Sequence, residues 1–211
     1  MNYASALPAI YSFFEKGGPF MVLLVALSII SLTAILLRAW RLRETRIIPS
    51  PLVEAVDALK PGDTLEGLYE EMENHPSAMA RILATLLSHL NWSKSENLEA
   101  VQTRARHELA RMEKGLVVLE IATGAGPLLG LLGTLSGLVA IFSELGGSGD
   151  PVIVARGISE ALNTTIVGLA VAVPSLIAHS YFTRRIEMMA VQMESTAADL
   201  LAKLYQPSAD R

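Results

Sequence analysis

The chain alternates long charge-free windows with segments of ordinary polarity. Three windows contain no Asp, Glu, Lys or Arg: Gly17 to Leu37 (21 residues), Ile121 to Ser143 (23 residues) and Ala161 to Thr183 (23 residues). About 20 helical residues cross the roughly 30 Å hydrocarbon layer of a bilayer. We therefore predict an all-α membrane protein with three transmembrane helices.

Two of the predicted spans continue into amphipathic sequence. Ser93 and Glu96 have the spacing of a capping box, and apolar residues then recur at three- and four-residue steps up to the second window. This pattern predicts one helix from about residue 95 to 145. The third window runs on without Gly or Pro until Pro207, which predicts a second long helix.

The remaining segments are shorter and more broken. Pro and Gly residues divide the region between the first two windows, and helical runs are predicted at Leu65 to Met72 and at Met79 to Leu90. Ala6 to Phe14 carries apolar residues at helical spacing, which fits either a short helix at the membrane interface or a frayed tail. Glu15 and the length of the first window favour a retained span over a cleaved signal peptide.

Positive residues predict the orientation of the spans. Nine of them flank the predicted inner ends, namely Arg38, Arg41, Arg43, Arg46, Arg106, Arg111, Lys114, Arg184 and Arg185. The opposite ends have Lys16 and Arg156. Cytoplasmic segments carry the excess of Lys and Arg, so the N-terminus is expected outside and the C-terminus inside.

Composition excludes several classes of function. The chain has no Cys, a net charge of -4 and no basic stripe, which argues against a disulfide scaffold and against nucleic-acid binding. The four His residues are scattered, and no nucleophile motif, phosphate loop or metal-ligand spacing occurs, so we expect neither an enzyme nor a cofactor nor a metal. The acidic run near His75 is expected to be solvated helix surface.

The second span carries a stripe of small residues. Gly126, Gly130, Gly133 and Gly137 follow at steps of four, three and four, with Thr134 on the same side. Small residues at this spacing let helices approach closely in lipid, and packing alone would explain the glycines.

The third span carries a small and polar stripe, formed by Ala161, Thr165, Gly168, Ala172, Ser175 and His179. A hydroxyl group that faces lipid finds no hydrogen-bond partner there, whereas a neighbouring helix or a water-filled passage offers one. Two interpretations of Thr165 are therefore open. Its hydroxyl faces a pore, or the residue packs between helices and its hydroxyl donates a hydrogen bond to the backbone of its own helix. Pro174 leaves the carbonyl of Ala170 without its usual donor.

An intramembrane carboxylate is missing from all three windows. A proton path needs a titratable group in the membrane, so any such group must come from another chain, with Thr134 and Thr165 as the hydroxyls that receive it. Glu120 and Glu160 only flank the windows. Glu160 is placed to pair with Arg156, and Glu120 either pairs with Lys114 or Arg184 or serves as a proton exit.

Two segments resemble a known family. Gly126-Pro127-Leu128-Leu129-Gly130-Leu131-Leu132-Gly133-Thr134-Leu135-Ser136-Gly137 resembles the second-span signature of the MotA/TolQ/ExbB proton-channel family. Gly157 to Leu169, followed by Ala172-Val173-Pro174, is similar to its third-span signature. Three spans place the likeness in the ExbB/TolQ branch, since MotA-type stators have four. Asn163 and Thr164 depart from the alanines common there.

The resemblance implies a homopentamer around a central pore in the inner membrane of a Gram-negative bacterium. Its implied partners are an ExbD/TolR-like single-span protein with a membrane aspartate, a TonB- or TolA-like protein and membrane lipid. The segments expected from the charge-free windows and the flanking charges are periplasmic 1–16, transmembrane 17–37, cytoplasmic 38–115, transmembrane 116–145, periplasmic 146–156, transmembrane 157–183 and cytoplasmic 184–211.

The site expected from the residues and the resemblance has two parts. The proton pathway and pore lining comprise Thr134, Thr165, Glu160, Glu120, Thr164 and Ser175. The helix-packing residues are Gly126, Gly130, Gly133, Gly137, Gly168, Pro127 and Pro174. An alternative function of a different class is a non-conducting membrane scaffold, in which the glycine stripes only hold the copies of an oligomer together. A transporter permease is disfavoured, because the spans have no charged residue at the midplane and no internal repeat.

Overall fold

The computed structural model describes residues 18–144 and 151–205, and all regular elements in this part of the chain are α-helices. They are α1 (Gly18–Arg41), α2 (Glu44–Ile47), α3 (Ser50–Ala58), α4 (Glu66–Asn74), α5 (Ala78–Ser88), α6 (Lys94–Glu113), α7 (Leu116–Glu144) and α8 (Pro151–Tyr205). The predicted stretch at Ala6 to Phe14 and the tail from residue 206 lie outside the described residues. The all-α prediction is confirmed for the described part.

Three helices are long and apolar enough to cross a membrane. They cover Gly18–Arg41, Leu116–Ser143 and Val154–Tyr205. Side chains such as Val22, Val139 and Ile166 are more than half exposed on these helices in the single chain. Outward-facing apolar residues of this kind are typical of helices that meet lipid or another membrane chain.

The chain divides into two compact units. Unit 1 takes the residues up to Leu37 together with Gly115–Ser180, and unit 2 takes Arg38–Lys114 and the residues from Tyr181 onward. Unit 1 therefore holds the apolar parts of α1, α7 and α8, and unit 2 holds α2 to α6 and the end of α8.

The prediction of one helix from about residue 95 to 145 is wrong. α6 ends at Glu113 and α7 begins at Leu116, so the chain leaves the helix at Lys114 and Gly115. Glycine lowers helix stability by about 1 kcal/mol relative to alanine. Arg38 also donates to the carbonyls of Met112 (2.9 Å) and Lys114 (2.8 Å), which satisfies acceptors that a helix end leaves open.

α8 is a single helix of 55 residues, in agreement with the long helix predicted there. It passes through Pro174 and begins at Pro151, so the residues from 151 to 156, expected in a loop, are already helical. Proline suits the first helical position because its missing N–H would be unpaired there anyway.

Unit 2 has its own hydrophobic core. α5 buries Met79, Ile82, Leu83 and Leu86 completely, and the hydroxyl of Ser77 accepts from the N–H of Ala80 at its start. The capping box of Ser93 and Glu96 at the start of α6 is confirmed.

Polar contacts hold the end of α8 against the other helices of unit 2. The amide of Asn97 donates to the hydroxyl of Tyr205 (3.1 Å), which in turn donates to the carbonyl of Trp92 (3.0 Å). The ammonium of Lys203 donates to the carbonyl of Val56 (2.9 Å).

Candidate functional site: three threonines between α7 and α8

Glycines bring α7 and α8 close together inside unit 1. A Cβ atom added at Gly130 would lie 2.9 Å from the carbonyl oxygen of Thr164 and 2.9 Å from the Cα atom of Thr165. One added at Gly126 would lie 2.9 Å from the carbonyl oxygen of Gly168. These distances leave no room for a side chain, so both positions pack backbone against backbone.

Gly133 and Gly137 have close neighbours on α8 as well. A Cβ at Gly133 would lie 2.7 Å from the Oγ1 atom of Thr164, and a Cβ at Gly137 would lie 3.0 Å from the Cβ atom of Ala161. From the other helix, a Cβ at Gly168 would lie 2.5 Å from the carbonyl oxygen of Gly126. All five predicted glycines therefore lie in the contact between the two helices.

Three threonine hydroxyls meet in this contact. The Oγ1 atoms of Thr134 and Thr165 are 2.6 Å apart, and Oγ1 of Thr134 is 3.3 Å from that of Thr164. Two backbone carbonyls accept from them. Gly130 O lies 3.1 to 3.2 Å from all three hydroxyls, and Ala161 O lies 2.8 Å from Thr164 and 3.0 Å from Thr134.

The cluster has more acceptor positions than protons. Each hydroxyl carries one proton, so three protons are shared among two carbonyls and the hydroxyl oxygens themselves. Thr164 and Thr134 are buried at 1% and 8% exposure, whereas Thr165 is half-buried. Thr165 is thus the member of the cluster that a group from outside the chain can reach.

The two predicted carboxylates differ in their surroundings. Glu160 is half-buried in α8 and its Oε1 lies 3.3 Å from Nε of Arg156, as the spacing of four residues predicts. Glu120 is exposed on the first turns of α7. Because both flank the charge-free windows, neither supplies a carboxylate at the level of the threonines.

Ser175 does not belong to the threonine cluster. Its side chain is fully buried, its Oγ is 2.6 Å from Oγ of Ser31 in α1, and it donates to the carbonyl of Val171 (2.7 Å). A hydroxyl enclosed by its own chain cannot line a passage between chains, so we leave Ser175 out of the candidate pathway. Sequence reasoning missed Ser31, whose only signal was a polar side chain inside an apolar window.

The two prolines inside the helices are placed differently. Pro127 is half-buried and directly follows the close contact at Gly126, whereas Pro174 is exposed. The packing role of Pro174 therefore stays a prediction. His179 is half-buried in α8.

Within residues 18–144 and 151–205, no group of three or more His, Cys, Asp or Glu side chains is arranged to hold a metal ion. The chemistry available at the cluster is therefore that of hydroxyls and carbonyls. Such groups can exchange hydrogen bonds with an arriving carboxyl or carboxylate, but hydroxyls do not titrate near neutral pH.

Comparison with known proteins gives a consistent result. Residues 66–195 match the MotA/TolQ/ExbB proton channel family. The chain is 32% identical over 208 residues to an ExbB-like biopolymer transport protein of Synechocystis, covering 93% of this chain and 78% of that protein. It is 26% identical over 211 residues to the biopolymer transport protein ExbB of Neisseria meningitidis serogroup B, covering 90% and 94%.

A biopolymer transport protein ExbB homolog of Methanothermobacter thermautotrophicus is 32% identical over 176 residues, covering 82% of this chain. The match spans 63% of that relative's length. The part of the chain matched to the family contains all three threonines of the cluster.

Proposed function

Because this chain belongs to the MotA/TolQ/ExbB proton channel family, we propose that it is a proton-channel subunit of the ExbB/TolQ type, driven by the proton motive force. The observation that carries the proposal is the threonine cluster, placed between two apolar helices whose charge-free windows contain no carboxylate. A hydroxyl cluster there lacks the titratable group that a proton path needs. We infer that the group arrives on another chain.

The expected partner is an ExbD/TolR-like single-span protein with one membrane aspartate. Its carboxylate would accept a hydrogen bond from Thr165, and its protonated form would donate one to the same oxygen. The hydroxyl of Thr165 can rotate toward the partner with little loss of free energy, because the carbonyl oxygen of Gly130 still has Thr164 (3.1 Å) and Thr134 (3.2 Å) as donors. The cluster can therefore serve both protonation states without leaving a buried carbonyl unpaired.

The assembly we propose follows the charge pattern and the family. Five copies would surround the partner, with the N-terminus outside, the C-terminus in the cytoplasm and Thr165 of each threonine cluster facing a central pore in a bacterial inner membrane. Each proton that crosses the field releases about 2.3 kcal/mol per 100 mV. That free energy would move the partner and energise a TonB- or TolA-like protein.

A non-conducting scaffold is the second candidate, and two observations favour it. Every hydroxyl of the cluster already has an acceptor within the chain, and the glycines pack closely. A purely structural contact would have the same two features. The candidates differ in whether protons cross and whether they do so only with the partner.

Proton flux tests the proposal. We would reconstitute the full chain in liposomes with an ExbD/TolR-like single-span protein that carries one membrane aspartate, impose a membrane potential and follow internal pH with a dye. Thr165→Val is expected to reduce the partner-dependent flux at least tenfold, since a hydrogen bond to a charged group contributes about 1.5 to 3 kcal/mol. Thr165→Ser keeps the hydroxyl and should retain most of the flux.

Thr123→Val is the matched control. Thr123 lies in the same helix as Thr134 and donates to the carbonyl of Leu119 (2.9 Å), outside the cluster. Its flux should equal that of the unaltered chain. Equal flux in Thr165→Val and Thr123→Val would overturn the role of Thr165, and no partner-dependent flux at all would favour the scaffold.

A further inference from the structure

A strongly basic cleft of about 520 Å³ lies in unit 2. Its lining includes six cationic side chains, Arg38, Arg41, Arg46, Arg81, Arg111 and Lys114. Among the residues that line it, Glu108 is the one carboxylate. We call this feature the basic cleft.

The carboxylate of Glu108 is already occupied. Its two oxygens accept from Nε (2.9 Å) and Nη2 (2.6 Å) of Arg81, and Arg104 approaches to 3.1 Å. Arg111 is farther away, at 3.8 Å, and 60% of its side chain is exposed. The basic cleft therefore keeps a net positive charge that its own residues do not neutralise.

Two of the cations are held in place before any ligand arrives. Arg38 donates to the carbonyls of Met112 and Lys114, and the guanidinium of Arg46 lies 4.6 Å from the ring centroid of Trp40. Side chains that are ordered in advance lose little entropy on binding. Arg41 and Lys114 are exposed and free to approach a ligand from solvent.

The basic cleft lies next to membrane-spanning sequence. Arg38 and Arg41 belong to the last turn of α1, the first candidate span, and Lys114 is two residues before α7, the second. Trp40, half-exposed in the same turn, is a residue type that concentrates at the membrane–water interface. The cations are therefore expected at the depth of the lipid headgroups, where basic pockets bind anionic lipids.

We propose that the basic cleft binds the phosphate of an anionic phospholipid headgroup. A free phosphate group has the same charge and acceptor oxygens, but the position beside two spans favours the lipid. Arginine forks match phosphate oxygens in geometry as well as charge. This binding would be independent of the proton pathway, since no residue of the threonine cluster takes part.

Native mass spectrometry of the detergent-purified full chain tests the proposal. Phosphatidylglycerol and phosphatidylcholine with identical acyl chains would be titrated against the unaltered chain and against the double variant Arg41→Gln with Lys114→Gln. These two positions spare Arg38 and Arg81, which hold the fold. We expect preferential binding of phosphatidylglycerol and at least a tenfold weaker affinity in the double variant, since each cation near an anionic surface contributes about a factor of five to ten.

The control is the double variant Arg43→Gln with Arg184→Gln, which removes the same charge from exposed positions outside the basic cleft. Its affinity should stay within twofold of the unaltered chain. Equal losses in both double variants would show diffuse attraction and overturn the site. Competition by millimolar inorganic phosphate would identify a soluble ligand and overturn the lipid, whereas binding that persists in phosphate supports it.

Discussion

Glu108 shows at the scale of one residue what a buried charge requires. Its side chain is 1% exposed in a helix that is otherwise mostly polar, and Arg81, Arg104 and Arg111 all approach it. The hydrogen bonds from Arg81 hold the pKa of the Glu108 carboxyl below its usual range; burial acts in the opposite direction, and the charges of the three arginines add to the lowering. The folded state therefore favours the ionised form.

Glu108→Gln is expected to loosen the contact between α5 and α6. Removing the carboxylate charge takes away the charged hydrogen-bond acceptor of Arg81. Because the side chains of Arg81, Arg104 and Arg111 are each about a third or more exposed, water compensates part of the loss, and the cost is roughly 1 to 3 kcal/mol. Amide hydrogen exchange of the full chain would report this as lost protection in both helices. Glu99→Gln, an exposed position on the same helix α6, is the control and should change protection little. Unchanged protection in Glu108→Gln would contradict the assigned role.

The same pair predicts a pH dependence. Since the folded-state pKa of Glu108 lies below its unfolded value, its contribution is fully present above the ordinary glutamate range of about 4.3 and is lost as pH falls through the folded-state pKa. Protection of α5 and α6 should therefore fall on acidification below about pH 4.5. Glu108→Gln should have a flatter profile than the unaltered chain over that range.

At the scale of elements, the close packing of α7 against α8 depends on glycine residues, which have no side chain. The contact between these helices uses backbone at Gly126 and Gly130, and Gly130 O also accepts from the threonine cluster. Any separation of the two helices would therefore disturb packing and hydroxyl geometry together. In lipid, close van der Waals packing replaces the hydrophobic effect as the force between helices.

Gly130→Ala should weaken this contact. Its new Cβ would meet two backbone atoms of α8 at 2.9 Å, and backbone cannot move aside as a side chain can. Overpacking of this kind costs about 1 to 3 kcal/mol. Gly124→Ala is the matched control, because a Cβ there meets nothing within 4 Å. Thermal unfolding of the detergent-purified chain should show a lower midpoint for Gly130→Ala and no decrease for Gly124→Ala; equal midpoints would contradict the close contact.

At the scale of the whole molecule, unit 1 presents apolar side chains that one chain does not cover. Leu128 and Phe142 of α7 and Ile166 and Val173 of α8 are all more than half exposed. Lipid would satisfy these surfaces, and so would further copies of the chain. In the proposed homopentamer, neighbouring copies would cover part of these apolar surfaces and lipid would cover the rest.

Native mass spectrometry of the chain, expressed with and without an ExbD/TolR-like single-span protein, tests the assembly. We expect five copies with two copies of the partner. A monomer, or an oligomer that never binds the partner, would favour the scaffold and leave Thr134 and Thr165 as packing residues. The partner with its membrane aspartate changed to asparagine is a control that should still assemble.

Much of the architecture was predictable from the sequence because the bilayer allows few solutions. A charge-free window of sufficient length must satisfy its backbone groups internally, so three such windows predict three helices. Spacing alone placed Thr134 and Thr165 on helix faces and paired Glu160 with Arg156. Local chemistry likewise predicted the capping box at Ser93, since each of these features depends on residues within about one helical turn.

The tertiary structure decided which side chains meet across the chain. Periodicity assigns a residue to a face of a helix, but it does not say which helix that face contacts. Ser175 shared a stripe with Thr165 and yet bonds to Ser31, 144 positions away in the sequence. Glu108 pairs with Arg81 from another helix, and the bonds from Arg38 stabilise a break after Glu113 that periodicity alone did not predict. These outcomes depend on contacts between distant segments, which only the folded chain brings together.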